Sequence, residues 1–369
     1  MSGSASGGEP SWAWLGLLKW SLSYTDGTRP SSETMQMSEE NRKFLETVMK
    51  EGIVDEGERM KTILTDLTKY LDRRKVIAEG QDDEEEKSDS DQELSTEHAV
   101  GLLSELRDIV EQIDYAKAFS ALGGVPFLVG CASADRKRVP LSVRSSCVAV
   151  FATLTQNNPH VQQSVLEGGV LQTLADVFFA EIPTEESANK GSSDTEVCDT
   201  DGKMRSRIVQ AMSCSVRGHR EGERAFCSSE GGRQVIEVGL GVTRADGLQV
   251  PPAGLRRRCL FFLQALLTSD DSTKERIELF DDCVRHVCAN FLSVDSEPDF
   301  EIREMALSFL QRMVEQGNNV LAISQSRDSM VSIGIKRIGE VRKMEGDDRE
   351  FASYELELWE ALIVQLAKI

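Results

Sequence analysis

The chain writes a Gly-Gly pair followed by an apolar run three times: "LGGVPFLV" at Leu122, "LEGGVLQTL" at Leu166 and "SEGGRQVI" at Ser229. A second string recurs beside it, an apolar residue followed by Arg: "VRSSCVAVFATL" at Val143, "MRSRIVQAMSCS" at Met204, "LRRRCLFFLQAL" at Leu255 and "IREMALSFLQRM" at Ile302. Offsets 4, 7, 8 and 11 hold Cys147, Val150, Phe151 and Leu154 in the first copy. The third gives Cys259, Phe262, Leu263 and Leu266, and the fourth Ala306, Phe309, Leu310 and Met313. The second is the weakest, with Ile208, Ala211 and Met212 but Ser215 at the last offset. Those offsets share one face of a helix. A chain that repeats one amphipathic unit folds by stacking the copies, since no single unit buries enough apolar surface alone.

The two strings keep a fixed distance. Arg144 to Gly168 is 24 residues, Arg205 to Gly231 is 26, and Arg256 to Asp281 is 25, where Asp281-Asp282 stands in for the glycines. Successive copies start 61, 51 and 47 residues apart, and the long gaps carry polar insertions at 181–203 and 244–254. Without them the period falls in the forties, as in armadillo and HEAT repeats. Aromatics are only 6% and the apolar residues show little strand-like alternation. The expected fold is therefore all-α, an armadillo-like right-handed superhelical solenoid of about four repeats with helical N- and C-terminal caps. The glycines are expected to end one helix and start the next with φ > 0. A phosphate-cradling loop is the rival reading, but no GxGxxG or GxxxxGK is present.

The expected organisation is a flexible N-terminal arm at 1–36, N-terminal helices at 37–78, an acidic linker at 79–96, repeats at 97–323 and a C-terminal helical cap at 324–369. Within 37–78, Ser38 is read as an N-cap and a helix is expected from Glu56 to Leu71. The linker, "EGQDDEEEKSDSDQE", has almost no apolar residue to offset the cost of ordering. A net charge of −20 disfavours nucleic acid and anionic membrane as partners and leaves a protein partner as the expectation. Eight cysteines without a CxxC, and no basic segment ahead of an apolar run, point to a reducing compartment, the cytoplasm and also the nucleus.

"DDCVRHVC" brings Cys283, His286 and Cys288 close in sequence, but Cys288 points away from the other two on a helix, so the thiols read as core residues rather than metal ligands. No HExxH, GxSxG or kinase-like set appears, and the four histidines are scattered. The chain is expected to be no enzyme and to need no cofactor. Its tryptophans, Trp12, Trp14, Trp20 and Trp359, lie outside the repeats, so it lacks the concave Trp and Asn ladder of karyopherin-like adaptors.

Several strings resemble the Fes/HspBP family, armadillo-type nucleotide exchange factors of the seventy-kilodalton heat-shock chaperones. They are "GLLKWSLSYTDGTRP" with "MSEENRKFLETVMK", "LLSELRDIVEQIDYAKAFSALGG", "TQNNPHVQQ", "VRGHREGERAF" and "EFASYELELWEALI". The resemblance covers the chain almost from Trp12 to Leu366. It departs in the elaborated linker, the two insertions and the Asp281-Asp282 pair. It implies a monomer that embraces one lobe of the chaperone's ATPase domain and forces ADP out; a generic armadillo-repeat adaptor is the alternative.

Carried over by position, the resemblance places the chaperone-contacting face at Asp114, Ala116, Arg144, Asn157, Asn158, Arg205, Arg217 and Arg256. Ala116 matches a small residue that lets the partner approach, and arginines suit two-pronged pairing with carboxylates. The alternative is that the arginines cap or solvate their own helices and that Asn157 is a helix C-terminal cap. Ala116→Arg together with Arg256→Ala is expected to leave the fold intact and to abolish acceleration of ADP release. In "WAWLGLLKWSLSY", the resemblance implies that Trp14, Leu17, Leu18 and Leu22 mimic a chaperone client; the alternative is a short helix docked on the body.

Overall fold

In the computed structural model, the described residues are 39, 43, 55–78, 95–183, 199, 201–242, 250–317 and 321–368. The client-like residues Trp14, Leu17, Leu18 and Leu22, the expected Ser38 cap and most of the acidic linker lie outside them. The chain divides into two units, 1–62 and 63–369. In the first, the ordered part described is the start of helix α1 (Glu56–Ala78), where the Asp55 carboxylate accepts from the Gly57 and Glu58 amides. This helix runs seven residues beyond the expected Leu71.

The second unit stacks helices in sets of three. The sets are α2 (Thr96–Val110), α3 (Ile113–Ala121) and α4 (Gly124–Ala132); α5 (Leu141–Thr155), α6 (Pro159–Glu167) and α7 (Val170–Ala180); α8 (Lys203–Val216), α9 (Arg220–Ser228) and α10 (Glu230–Leu240); and α11 (Ala253–Leu267), α12 (Lys274–Leu279) and α13 (Asp281–Asn290). A shorter end follows with α14 (Phe300–Glu315), α15 (Leu321–Val341), α16 (Asp347–Phe351) and α17 (Ser353–Leu366). The expected repeat-to-cap boundary at 323 falls inside α15.

Two rows carry the stack. First helices pack in the order α2, α5, α8, α11, α14, α17, and third helices in the order α4, α7, α10, α13, α15, with α15 also packing on α17. The architecture is all-α, as the repeated strings imply. Every residue of the repeated stripe is buried: Phe151, Leu154, Ile208, Met212, Phe262, Leu266, Phe309 and Met313 are 1% exposed or less. Burying such a side chain stabilises by roughly 1.5–3 kcal/mol, and each first helix is covered by its neighbours in the row.

The glycine pairs work in two ways. Gly123 and Gly169 adopt the left-handed conformation (φ 86° and 63°) and start α4 and α7, as expected. The third pair does not. Gly231 and Gly232 lie inside α10, whose N-terminus is capped by the Ser229 hydroxyl accepting from the Gly232 amide at 2.9 Å. Gly232 is required there for space, since a Cβ would sit 2.7 Å from the Phe226 carbonyl oxygen.

Candidate partner-binding site

The first-turn arginines face inward. Arg144, at the start of α5, donates from Nη2 to Glu181 Oε1 (2.5 Å) and from Nε to the Ala132 carbonyl (3.0 Å). Arg205, at the start of α8, donates from Nε to Asp199 Oδ2 at 3.1 Å, while the same carboxylate accepts the Met204 and Arg205 amides. Arg256 of α11 pairs with Glu297 at 2.9 Å and donates to the Pro251 carbonyl. Arg303 of α14 holds Glu355 with two parallel bonds of 3.1 Å and donates to the Glu297 and Pro298 carbonyls. All four arginines and all four acids are buried.

This corrects the expectation for Arg144, Arg205 and Arg256. Each guanidinium is spent on fixing a segment between repeats to a helix start; Glu181 opens the polar insertion at 181–203 and Asp199 lies four residues before its end. A buried arginine already paired with a carboxylate of its own chain offers no exposed fork to a partner. Ala116 needs the same correction, because at 2% exposure it is covered by this chain's own packing.

The other expected residues gather at the opposite ends of the first helices. A 15-residue helix is about 22 Å long, so the two ends are separate surfaces. Asp114 lies in the first turn of α3 with its side chain 98% exposed and 3.7 Å from Lys117 Nζ. Asn157 follows α5 with φ 54°, the left-handed residue that ends the helix, which supports its cap reading. Asn158 needs the same correction as Ala116, because it is 1% exposed; neither of its side-chain polar atoms has a partner. Gln162 of α6 donates to the Cys214 and Arg217 carbonyls (2.8 and 3.2 Å), tying the α5–α6 turn to the α8–α9 turn. Asn157, Asn158 and Arg217 are thereby brought together.

From Arg217 the surface leads to an unexpected feature. The Arg217 guanidinium lies 4.9 Å from the centre of the Phe261 ring, a cation–π contact. Phe261 is 42% exposed, and with Arg258 of α11, Arg207 of α8 and Met305 of α14 it lines an open groove of about 690 Å³. Arg207 is steadied by the Ser145 hydroxyl at 2.7 Å. At the groove's end Lys203 donates to Asp201 at 2.7 Å. Burial pushes the Asp201 carboxyl up, but that bond, the Lys203 amide and the lysine charge together hold it below the usual range, and the same pairing raises the lysine. Arg257 pairs with Glu301 across α11 and α14. The result is a basic groove with an aromatic centre on a strongly acidic chain.

Sequence reasoning missed Phe261, Arg207 and Arg258, although the signal was present. With Cys259, Phe262, Leu263 and Leu266 facing inward, a helix turns Arg257 and Phe261 to the opposite side. A large aromatic there exposes itself to water, as binding surfaces do.

The chain is similar to Hsp70-binding protein 1. It is 27% identical to the Homo sapiens protein over 263 residues, 70% of this chain and 61% of that one. The Mus musculus protein gives the same identity and coverage. The match to the Macaca fascicularis protein is 27% over 220 residues, 58% of this chain and 51% of the relative. The chain thus spans less than two thirds of the length of these curated relatives. No family model matches. Among solved structures, an engineered protein aligns with 92% of its own chain and 74% of this one at a TM-score of 0.47 and 14% identity.

Proposed function

We propose that this chain is a non-enzymatic co-chaperone that binds the ATPase domain of a cytosolic Hsp70 and promotes release of ADP and then of client. The groove around Phe261, continued by Arg217, is the proposed contact surface. The observation that carries the reading is the joining of two facts. The relatives are named for binding Hsp70, and this acidic chain sets Arg207, Arg217 and Arg258 around an exposed aromatic ring. Aromatic and arginine side chains dominate the energetics of protein interfaces. The seven described cysteines are all free and buried, which suits a reducing compartment such as the cytosol or nucleus.

Exchange needs no chemistry from this protein. A binder that prefers the opened, nucleotide-free ATPase domain over the ADP-bound one by about 3 kcal/mol shifts affinity roughly a hundredfold, and linkage then makes nucleotide weaken the complex equally. The test is release of labelled ADP from purified Hsp70 with and without the full chain, alongside binding to the ATPase domain at rising ADP. Acceleration with nucleotide-sensitive binding supports the proposal. Equal affinity for loaded and empty chaperone, with unchanged release, overturns it and leaves a general helical-repeat adaptor.

A further inference from the structure

Three guanidiniums stand around Phe261 without a carboxylate of their own. Arg207 of α8 is exposed and donates from Nη1 to the Ser145 hydroxyl at 2.7 Å. Arg217, just past the end of α8, lies 4.9 Å from the centre of the Phe261 ring, and its Nε has no hydrogen-bond partner. Arg258 stands one turn before Phe261 on α11, exposed at the groove. Among the described residues none of the three is in a salt bridge, although acids outnumber bases 62 to 42 along the chain. The other charges at the groove are settled, Lys203 with Asp201 and Arg257 with Glu301.

Neutral groups hold two of the three in place. Ser145 is 7% exposed, so the hydroxyl that steadies Arg207 is fixed by the packing of α5. Gln162, 2% exposed, donates from Nε2 to the Cys214 carbonyl at 2.8 Å and to the Arg217 carbonyl at 3.2 Å, which pins the point where the chain leaves α8. A neutral partner orients a guanidinium and leaves its charge uncompensated, the reverse of the buried row, where each arginine meets an acid. Ordering it beforehand also lowers the entropy lost when an anion arrives.

Spacing sets the form of that anion. Arg207 and Arg217 are ten residues apart along α8, about 15 Å at the rise of a helix, too far for a single carboxylate or phosphate to bridge. An extended segment covers that span in roughly four to five residues. Beside the charges the groove offers the Phe261 ring, 42% exposed, and Met305, which suit an apolar side chain. We propose that the groove is a receptor for an acidic segment of the partner protein, in which carboxylates spread over about 15 Å flank an apolar side chain that seats against Phe261. This rests on the groove being the surface that meets the chaperone and adds the chemistry of what it meets. A chain of net charge −20 repels polyanions at a distance and carries one local patch that selects carboxylates.

Titrating the Hsp70 ATPase domain with the full chain across about 50–300 mM NaCl tests this. Wild-type affinity should fall as salt rises. Arg207→Gln, Arg217→Gln and Arg258→Gln combined should weaken binding about tenfold or more at low salt and flatten that slope, while Phe261→Ala weakens binding at every salt concentration and keeps the slope. Should the triple variant fail to fold, Arg258→Gln alone, at an exposed site, should flatten the slope in part. Variants that bind with wild-type affinity and slope overturn the acidic segment and leave the co-chaperone reading standing. Should the wild-type chain not bind the ATPase domain, that reading falls, and a second arm still decides the groove: a capped Glu-Glu-Leu-Glu-Glu peptide, with Gln-Gln-Leu-Gln-Gln as control, added at millimolar concentration to isotope-labelled chain. The acidic peptide alone should shift the Nε–Hε resonances of Arg207, Arg217 and Arg258; equal shifts with both peptides, or none with either, overturn the proposal.

Discussion

Arg256 and Arg258 stand two residues apart on α11 and belong to different regions. Arg256 is 8% exposed and committed to Glu297 and the Pro251 carbonyl, part of a row of buried pairs that hold the inter-repeat segments. Arg258 lies at the surface beside Phe261, part of the groove. The row is structural and the groove is available, although both are built from the same residue type in the same string, "LRRRC". The lesson is that helix phase decides what an arginine does. The stripe at offsets 4, 7, 8 and 11 centres roughly 30° from the first residue at about 100° per residue, so offset 1 falls about 70° to one side of that centre and offset 3 about 90° to the other, and the two arginines leave opposite flanks of the buried face.

The strongest way to break this comparison is Arg256→Ala against Arg258→Ala in urea unfolding. Removing Arg256 strands the buried Glu297 charge and should cost about 3–5 kcal/mol, whereas Arg258→Ala should stay within about 0.5 kcal/mol. The earlier expectation that Arg256→Ala spares the fold is thereby reversed. Equal losses from the two would erase the distinction. Replacing the pair with Met at 256 and Leu at 297 should recover most of the stability, because the isolated charge is the costly element.

The groove half is sharpened by Phe261→Ala. With 42% of the ring already in water, the folded chain should lose little, yet affinity for the Hsp70 ATPase domain should fall by about 2 kcal/mol, near thirtyfold, in calorimetric titration. This variant tests the groove, whereas nucleotide sensitivity tests the function. A third contrast separates the two glycines of one turn. A Cβ on Gly124 would sit 2.1 Å from the Phe119 ring, while Gly123 has open space but φ of 86°. Gly124→Ala should cost about 1–3 kcal/mol through overpacking, and Gly123→Ala about 1–2 kcal/mol through backbone strain. Gly123→Asn, which tolerates that φ better, should recover part of the loss only at 123.

Much of the fold was legible because the stripe repeats: Phe151, Phe262 and Phe309 occupy the same offset and the same buried place. The arginines were legible as a repeated position but not as a role, since the acids that claim Arg144, Arg256 and Arg303 lie 37, 41 and 52 residues away, in segments that share no pattern. The third glycine pair was misread for a similar reason. Its Ser229 supplies a cap, which frees the glycines from turning the chain and leaves Gly232 to accommodate Phe226. The groove was hidden only by attention to Arg256, because Phe261 sat in plain view on the polar side of its helix.

The smallest effect concerns two acids at the end of the row, Glu355 on α17 and Glu304 on α14. Burial pushes the Glu355 carboxyl up, but the bonds from Arg303 and Arg337 outweigh it and hold the group below its ordinary 4.5. Below that value the unfolded chain takes up a proton first, so the stability Glu355 confers is complete above about pH 4.5 and is lost as pH falls through its lower folded value. Glu304 is opposite in sign: burial and the Glu355 charge raise it, against Arg303. The folded chain holds its proton longer, so Glu304 costs stability as pH rises from about 4.5 through its raised value. Urea midpoints between about pH 3 and 7 should show wild type gaining less than its full stability in acid, with the slope flattened by Glu355→Gln and steepened by Glu304→Gln. Slopes that move the same way in both variants would mean that Arg303 does not discriminate between them, and the row would then owe its order to packing rather than to its ion pairs.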